Sequence, residues 1–273
     1  MTISRQEFEY VRDLVRANAG IVLETGKEYL VEARLRPLAE RDHAMSVALF
    51  IQRLKSGASS VVHRHVIEAM TTNETSFFRD MSPFETLRKQ ILPDLVEKRR
   101  NERALNIWSA ACSTGQEPYT VAITINEYFP TVMQWKLRIL ASDLSTDVLD
   151  RARGASYSQL EVNRGMPASL MVKYFMRNRL CWDLRPEIRK MVEFFEINLT
   201  RAFPALPDMD IIMLRNVMIY FDLDTKRRII DSIARRLKPD GYLLLGNSET
   251  TFGVHDAFER FAQDRSGWHR LRK

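Results

Sequence analysis

The stretch LNIWSAACSTGQEPYTVAI, residues 105–123, opens as an apolar run and closes as a helix. Between the two lie small residues up to Gly115, then Gln116, Glu117 and Pro118. Small residues at the end of a strand let a ligand approach the backbone. A proline early in the following helix gives up a donor that has no intrahelical acceptor. The loop therefore reads as a cofactor shelf. G-x-G-x-x-G and GxxxxGK[ST] are both absent, which makes dinucleotide and P-loop readings weak. A second chemical candidate is Asp143, in ASDLST at the end of another apolar run. An acid there could accept hydrogen bonds from both hydroxyls of a ribose; alternatively, Asp143 or Ser145 caps the next helix. A single-glycine loop combined with such an acid is a pattern of S-adenosylmethionine (SAM) sites. Cys112 and Cys181 stand far apart, without partners at metal spacing, so neither a zinc site nor a disulfide framework is expected, and no metal ligands are assigned.

Positioning these residues requires strands that end together. The runs LNIWSA (105–110), LRILAS (137–142), VEFFEINL (192–199), DIIMLRN (210–216) and YLLLGN (242–247) look like buried parallel strands, most of them separated by helical segments. That alternation predicts an α/β domain with a parallel sheet, whose ligands bind beyond the carboxyl ends of the strands. Residues 154–191 are too many for a simple crossover and predict an inserted subdomain with a small hairpin or meander. Residues 1–70 read as helical: SRQE at Ser4 to Glu7 is a capping box, and Phe8, Val11, Leu14 and Val15 follow at helical spacing. Val31, Leu35 and Leu38 form a second stripe in a helix that Pro37 is expected to interrupt, and Gly57 is expected to end a third. A linker spans 71–85, and the catalytic domain is expected over 86–273.

The net charge of +6 permits either a nucleic acid or an acidic protein surface as partner. No run of eighteen apolar residues occurs, and MTISRQEFEY has no apolar signal core, so a cytoplasmic protein that does not insert into the membrane is expected. His43, His63 and His65 read as surface residues of the helical region, and Cys181 and Trp182 as packing within the insertion. Phe77 and Phe78 read as packing between the two domains, and EKRR at 97–100 as a solvated helix end.

The segments TTNETSFFRD, WSAACSTGQEPYTVAI, ASDLSTDVLDRAR, VKYFMR, FFEINL and IMLRNVMIYFD together resemble the CheR-type chemoreceptor glutamate methyltransferases along nearly the whole chain. The resemblance implies a class I SAM-dependent methyltransferase domain, Rossmann-like, with an all-helical N-terminal domain and a small inserted β-subdomain. It implies methyl transfer from SAM to glutamate side chains on the cytoplasmic helical bundle of chemoreceptors. The products would be glutamyl methyl esters and S-adenosylhomocysteine (SAH), and the enzyme would be membrane-proximal only through its receptors. Asn73, Thr75 and Arg79 would contact the cofactor, with Gly115 in its loop. Glu117 would bind its polar end and Asp143 its ribose, Asn198 and Leu199 would flank the adenine, and Asn216 and Val217 would lie near the methionine portion. Arg79 and Tyr220 would stand nearest the reacting carboxylate. The expected assembly is a monomer.

Cys112 and Gln116 depart from the alanine and glutamate common in close relatives. Arg34, Arg36 and Arg41, with Arg53 and Lys55, form a basic region that could face an acidic substrate surface or be an ordinary solvated face. Some relatives bind a receptor C-terminal pentapeptide along the edge of the β-subdomain and share a longer, glycine-containing turn after YFMR. Here NRLCWDLRPEIRK follows, shorter and without glycine, which predicts independence from that tether. A nucleic-acid methyltransferase would be expected to carry a [DN]PP[YF] loop where this chain reads RNVMIY, and interleaved aromatic and basic residues are lacking. No nucleic-acid partner is expected. A SAM-binding adaptor without turnover is the third reading.

Overall fold

The computed structural model describes residues 3–261 and 266–272. They group into two compact units, one running to Thr72 and taking in Tyr220–Thr225, the other comprising Asn73–Ile219 and Lys226 onward. The stretch read as a linker thus belongs from Asn73 onward to the larger unit, where Ser76, Phe77 and Phe78 are buried.

The smaller unit is built from α1 (Arg5–Ala19), α2 (Glu28–Arg41), α3 (Val47–Lys55) and α4 (Ser60–Ala69). The capping box forms: Ser4 N donates to Glu7 Oε2 at 2.7 Å and Glu7 N to Ser4 Oγ at 3.3 Å. α1 ends on Gly20 at φ +71°, a left-handed cap that suits glycine. Ser46 and Ser59 cap α3 and α4. Pro37 does not break α2, which runs continuously through it. The lost backbone bond is outweighed by burial of Val31, Leu35 and Ala39, each no more than 2% exposed on one face.

The larger unit starts with α5 (Ser82–Thr86) and α6 (Leu92–Lys98), joined by a π-helical turn at Leu87–Ile91. Then come β1 (Ala104–Ala110), α7 (Gln116–Tyr128), β2 (Lys136–Asp143) and α8 (Thr146–Gly154). The insertion holds β3 (Ser156–Ser158), α9 (Gln159–Asn163), α10 (Ala168–Tyr174), β4 (Phe175–Asn178), β5 (Cys181–Leu184) and α11 (Pro186–Arg189). β6 (Val192–Glu196), β7 (Met209–Leu214), α12 (Leu223–Ala234), β8 (Leu237–Leu245), β9 (Phe258–Arg260) and β10 (Trp268–Leu271) complete the chain.

The main sheet has the order β6-β2-β1-β7-β8-β10-β9. Its first five strands are parallel and are the five apolar runs. β9 and β10 add antiparallel edges that sequence reading missed, because FER and WHRL are short and mix charges into the apolar pattern. The chain leaves β1 toward β2 on one side and returns to β7 on the other, so a topological switch point lies between β1 and β7. The insertion folds as a three-stranded antiparallel sheet, β3-β5-β4.

Candidate functional site

The site grows from the carboxyl ends of β1, β2, β6 and β7. After β1 the backbone turns through left-handed residues at Ala111 (φ 58°), Ser113 (φ 51°) and Gly115 (φ 91°). Non-glycine residues hold that conformation only where their surroundings over-determine it. Here Ser113 N donates to Asp143 Oδ2 at 2.9 Å, Ser113 Oγ to the Asn73 carbonyl at 2.9 Å, and Cys112 N to the Ser142 carbonyl at 2.9 Å. Glycine at 115 is required by the protein itself. A Cβ there would sit 3.0 Å from Ala152 Cβ and 3.1 Å from Tyr119 Cε2, on a backbone few side chains adopt. The small residues are thus explained partly by packing against α7 and α8.

Asp143 is 7% exposed and ties two loops, accepting from Ser113 N and, through Oδ1, from Ser145 N at 3.1 Å. The helix cap itself falls to Ser145, whose Oγ accepts from Val148 N. One carboxylate thus fixes the backbone of the loop after β1 and the start of α8. Ile197 N donates to the Asp143 carbonyl, which brings the segment after β6 alongside. There Asn198 Oδ1 accepts from Thr200 N and Oγ1 in a local turn, and Leu199 is buried.

Glu117, in the first turn of α7, is gripped from two sides. Ser109 Oγ donates to Oε1 at 2.8 Å and Arg215 Nη1 to Oε2 at 3.1 Å. Arg215, which sequence reading missed, ties this carboxylate to the segment before α5. Its side chain is 2% exposed, its Nη2 donates to Asp80 Oδ2 at 2.8 Å and to the Arg79 carbonyl at 3.1 Å, and its guanidinium lies 5.5 Å from the Phe84 ring centre. The usable signal was an arginine directly after an apolar strand, which demands buried carboxylate partners. Glu249 was missed too. Its Oε2 accepts from Asn216 N and Gly246 N and its Oε1 from Met218 N, all at 2.7 Å. Three backbone donors on one carboxylate hold Asn216 in its left-handed conformation (φ 57°), with Val217 half-buried beside it.

The segment 73–79 reaches this cluster through the Asn73 and Arg79 carbonyls. Thr75 and the Arg79 side chain are half-buried, and Arg79 Nη1 donates to the Glu74 carbonyl at 2.8 Å. Burial, reinforced by the Asp143 and Glu117 carboxylates, pushes the Cys112 thiol well above its usual range, so it stays protonated and unreactive. The lining has the chemistry SAM calls for: two buried carboxylates, Glu117 and Asp143, and the buried apolar Leu199 at the strand ends.

Family models match in two parts. "CheR methyltransferase, all-alpha domain" covers residues 6–71, and "CheR methyltransferase, SAM binding domain" covers residues 73–266. The chain belongs to the CheR methyltransferase family. It is similar to chemotaxis protein methyltransferase 1 of Pseudomonas aeruginosa, 38% identical over 263 residues and covering 95% of each chain. Chemotaxis protein methyltransferase Cher2 of Pseudomonas putida is 36% identical over 263 residues, again 95% of each chain. The chemotaxis protein methyltransferase of Borreliella burgdorferi is 36% identical over 260 residues, 93% of this chain and 91% of that one. This CheR methyltransferase is a SAM-dependent chemotaxis enzyme with the fold class expected from its sequence.

Of the two side chains assigned to the reacting carboxylate, Arg79 lies in the SAM-binding unit of this CheR methyltransferase. Tyr220 groups with the helical unit, where its carbonyl accepts from Val22 N and Phe221 bridges to Ile21. The basic residues divide. Arg34 is half-buried and donates to the Met70 and Thr71 carbonyls and to Thr72 Oγ1, so it braces the end of α4. Arg36 pairs with Glu32, and Arg53 with Asp42. Lys55 donates to the Gln6 carbonyl and lies 5.3 Å from the centre of the Tyr10 ring, whereas Arg41 is exposed. His63 hydrogen-bonds Tyr10 and the Ser59 carbonyl within the same unit. Among the described residues no group of acidic, histidine or cysteine side chains is arranged to hold a metal, and no helix is long and apolar enough to cross a membrane.

Proposed function

We propose that this chain methylates glutamate side chains on the cytoplasmic helical bundle of chemoreceptors, giving methyl esters. The observation that carries the reading is the link between Arg79 and the Glu117 cluster. Arg215 bonds both the Glu117 carboxylate and the Arg79 carbonyl, so a guanidinium able to orient a carboxylate is tied to the segment facing the cofactor's polar end. SAM supplies a methyl carbon activated by a positively charged sulfur. A glutamate with a pKa near 4.3 is already ionised at neutral pH, so the acceptor needs no general base. The protein's task is then to align the carboxylate oxygen with the methyl group and replace its hydration by fixed donors. Arg79 offers a planar fork that holds one oxygen while the other reacts. Too tight a grip would stabilise the ground state, so its contribution is orientation. The helical unit is the part assigned to receptor docking, with Arg36, Arg41, Arg53 and Lys55 among its exposed cations.

The test uses methyl-labelled SAM and membranes carrying the chemoreceptors, followed by alkali treatment of the receptor band. Release of labelled methanol identifies a carboxyl methyl ester. Alkali-stable label would mean N- or C-methylation, and absence of label despite SAM binding would favour an adaptor.

The insertion supports a second expected result. β4 and β5 are joined by the two residues Arg179 and Leu180, with Asn178 paired to Cys181. Receptor binding should therefore not depend on a C-terminal tether pentapeptide. Calorimetric titration of that peptide should give no micromolar binding; a micromolar dissociation constant would refute the expectation.

A further inference from the structure

Tyr157, on β3 of the insertion, is 1% exposed. Its hydroxyl donates to the carbonyl of Thr114 at 2.8 Å, inside the loop after β1. That carbonyl belongs to the peptide joining Thr114 to Gly115, two peptide units on from the Ser113 N–H that donates to Asp143. Its orientation is therefore coupled to the whole left-handed turn. The other anchors of the loop come from the sheet, at Asp143, and from the segment before α5, at Asn73. Tyr157 adds one from the insertion.

The tyrosine is itself held by aromatic edges. Its ring meets Phe77 at 5.0 Å and 80°, and Phe175 of β4 at 6.4 Å and 70°; Phe77 and Phe175 meet at 5.4 Å and 86°. Phe77 belongs to the NETSFFR segment, which is fixed in turn by Phe78 N donating to Thr120 Oγ1 at 3.1 Å. Gly165, also in the insertion, has its missing Cβ aimed at the Phe77 carbonyl, 2.1 Å away, so no side chain fits there. Two cofactor-facing segments, 73–79 and 111–117, are thus braced from behind by one small antiparallel sheet.

We infer that Tyr157 is a positioning residue for SAM, and that the inserted subdomain is a structural part of the cofactor site. The inference rests on the assignment of the Ala111–Glu117 loop to SAM. Burial raises the Tyr157 phenol well above its usual range, so the hydroxyl remains a donor throughout the working pH range.

The test compares SAH binding by calorimetry, thermal unfolding and turnover at saturating SAM for the wild-type chain, Tyr157→Phe and Tyr242→Phe. Tyr242 is the control. It is also buried, and its hydroxyl donates at 2.9 Å, but to Asp94 Oδ2 in α6, outside the loop. Loss of one such bond from the loop should weaken SAH binding by about three- to tenfold in Tyr157→Phe, with turnover at saturation within about twofold. Tyr242→Phe should lose comparable thermal stability and keep wild-type SAH affinity. Equal affinities for Tyr157→Phe and wild type would overturn the inference, as would an equal loss in both variants. If Tyr157→Phe does not fold, Phe175→Leu removes one aromatic brace and keeps the hydroxyl. It should weaken SAH binding in the same direction, and unchanged binding would count against the inference. Failure of the wild-type chain to bind SAH would instead overturn the assignment of the loop.

Discussion

Replacing Arg79 by alanine should lower methyl transfer by about 10²- to 10³-fold, the range found when one preorganised donor is removed from a reacting centre. The loss should appear in kcat, because the fork acts on a carboxylate that must be aligned during transfer. Stability should hardly change. The side chain is half-buried, and its hydrogen bond to the Glu74 carbonyl is that of a surface residue, worth within about 0.5 kcal/mol on substitution. In a chain of this size that moves the melting temperature by about 1–2 °C. Arg79→Lys keeps the charge and loses the planar fork, so recovery of most of the activity by lysine would show that charge, and not orientation, is what Arg79 supplies. Near-normal turnover in Arg79→Ala would remove Arg79 from the reaction altogether.

Asp210→Ala should have the opposite profile, a large loss of stability with the cofactor site intact. Asp210 stands at the amino end of β7, 0% exposed. It accepts from Arg99 Nε at 2.6 Å, Lys238 Nζ at 2.9 Å and Asn106 N at 2.8 Å. Arg99 also bonds Asp240 through both terminal nitrogens, at 2.5 and 2.9 Å, and these contacts hold its pKa above the usual arginine range. Removing one partner of a buried pair leaves an uncompensated charge, which costs about 3–5 kcal/mol. The melting temperature of the larger unit should fall by about 10 °C. SAH affinity, measured well below that temperature, should stay at the wild-type value, because the site lies at the other ends of the strands. Unfolding in urea gives the stability difference directly; a loss below about 1 kcal/mol would mean that water and Asp240 compensate for the missing carboxylate.

The Arg215 cluster shows why charge at the carboxyl ends has a different purpose. Glu117, Asp80 and Arg215 are drawn together from positions 98 and 135 residues apart in the chain. The Arg99 cluster joins residues 111 and 141 apart. Both centre on a buried arginine, but only the Arg215 cluster shares residues with the loop after β1 and with the segment carrying Arg79. One set of ion pairs closes the bottom of the sheet; the other fixes the orientation of the Glu117 carboxylate.

By itself the sequence determined what depends on near neighbours. Apolar runs marked the five parallel strands, the SRQE box marked the start of α1, and the oversized interval after α8 marked the insertion. Motif segments such as NETSFFR and SAACSTGQEPY specified the family, since the residues that face a ligand are confined to short stretches at strand ends. The tertiary structure alone decided the partners of those residues. It showed Arg34 to be a brace inside the helical unit, Gly115 to be demanded by Ala152 and Tyr119, Glu249 to grip three backbone donors, and Tyr157 to reach the loop from the insertion. The physical reason is range. Apolar periodicity and capping act over a few residues and leave a record in the order of the chain, whereas the buried Arg215–Glu117 pair spans 98 residues and the Tyr157 hydroxyl bond 43. Nothing local records which partner each finds.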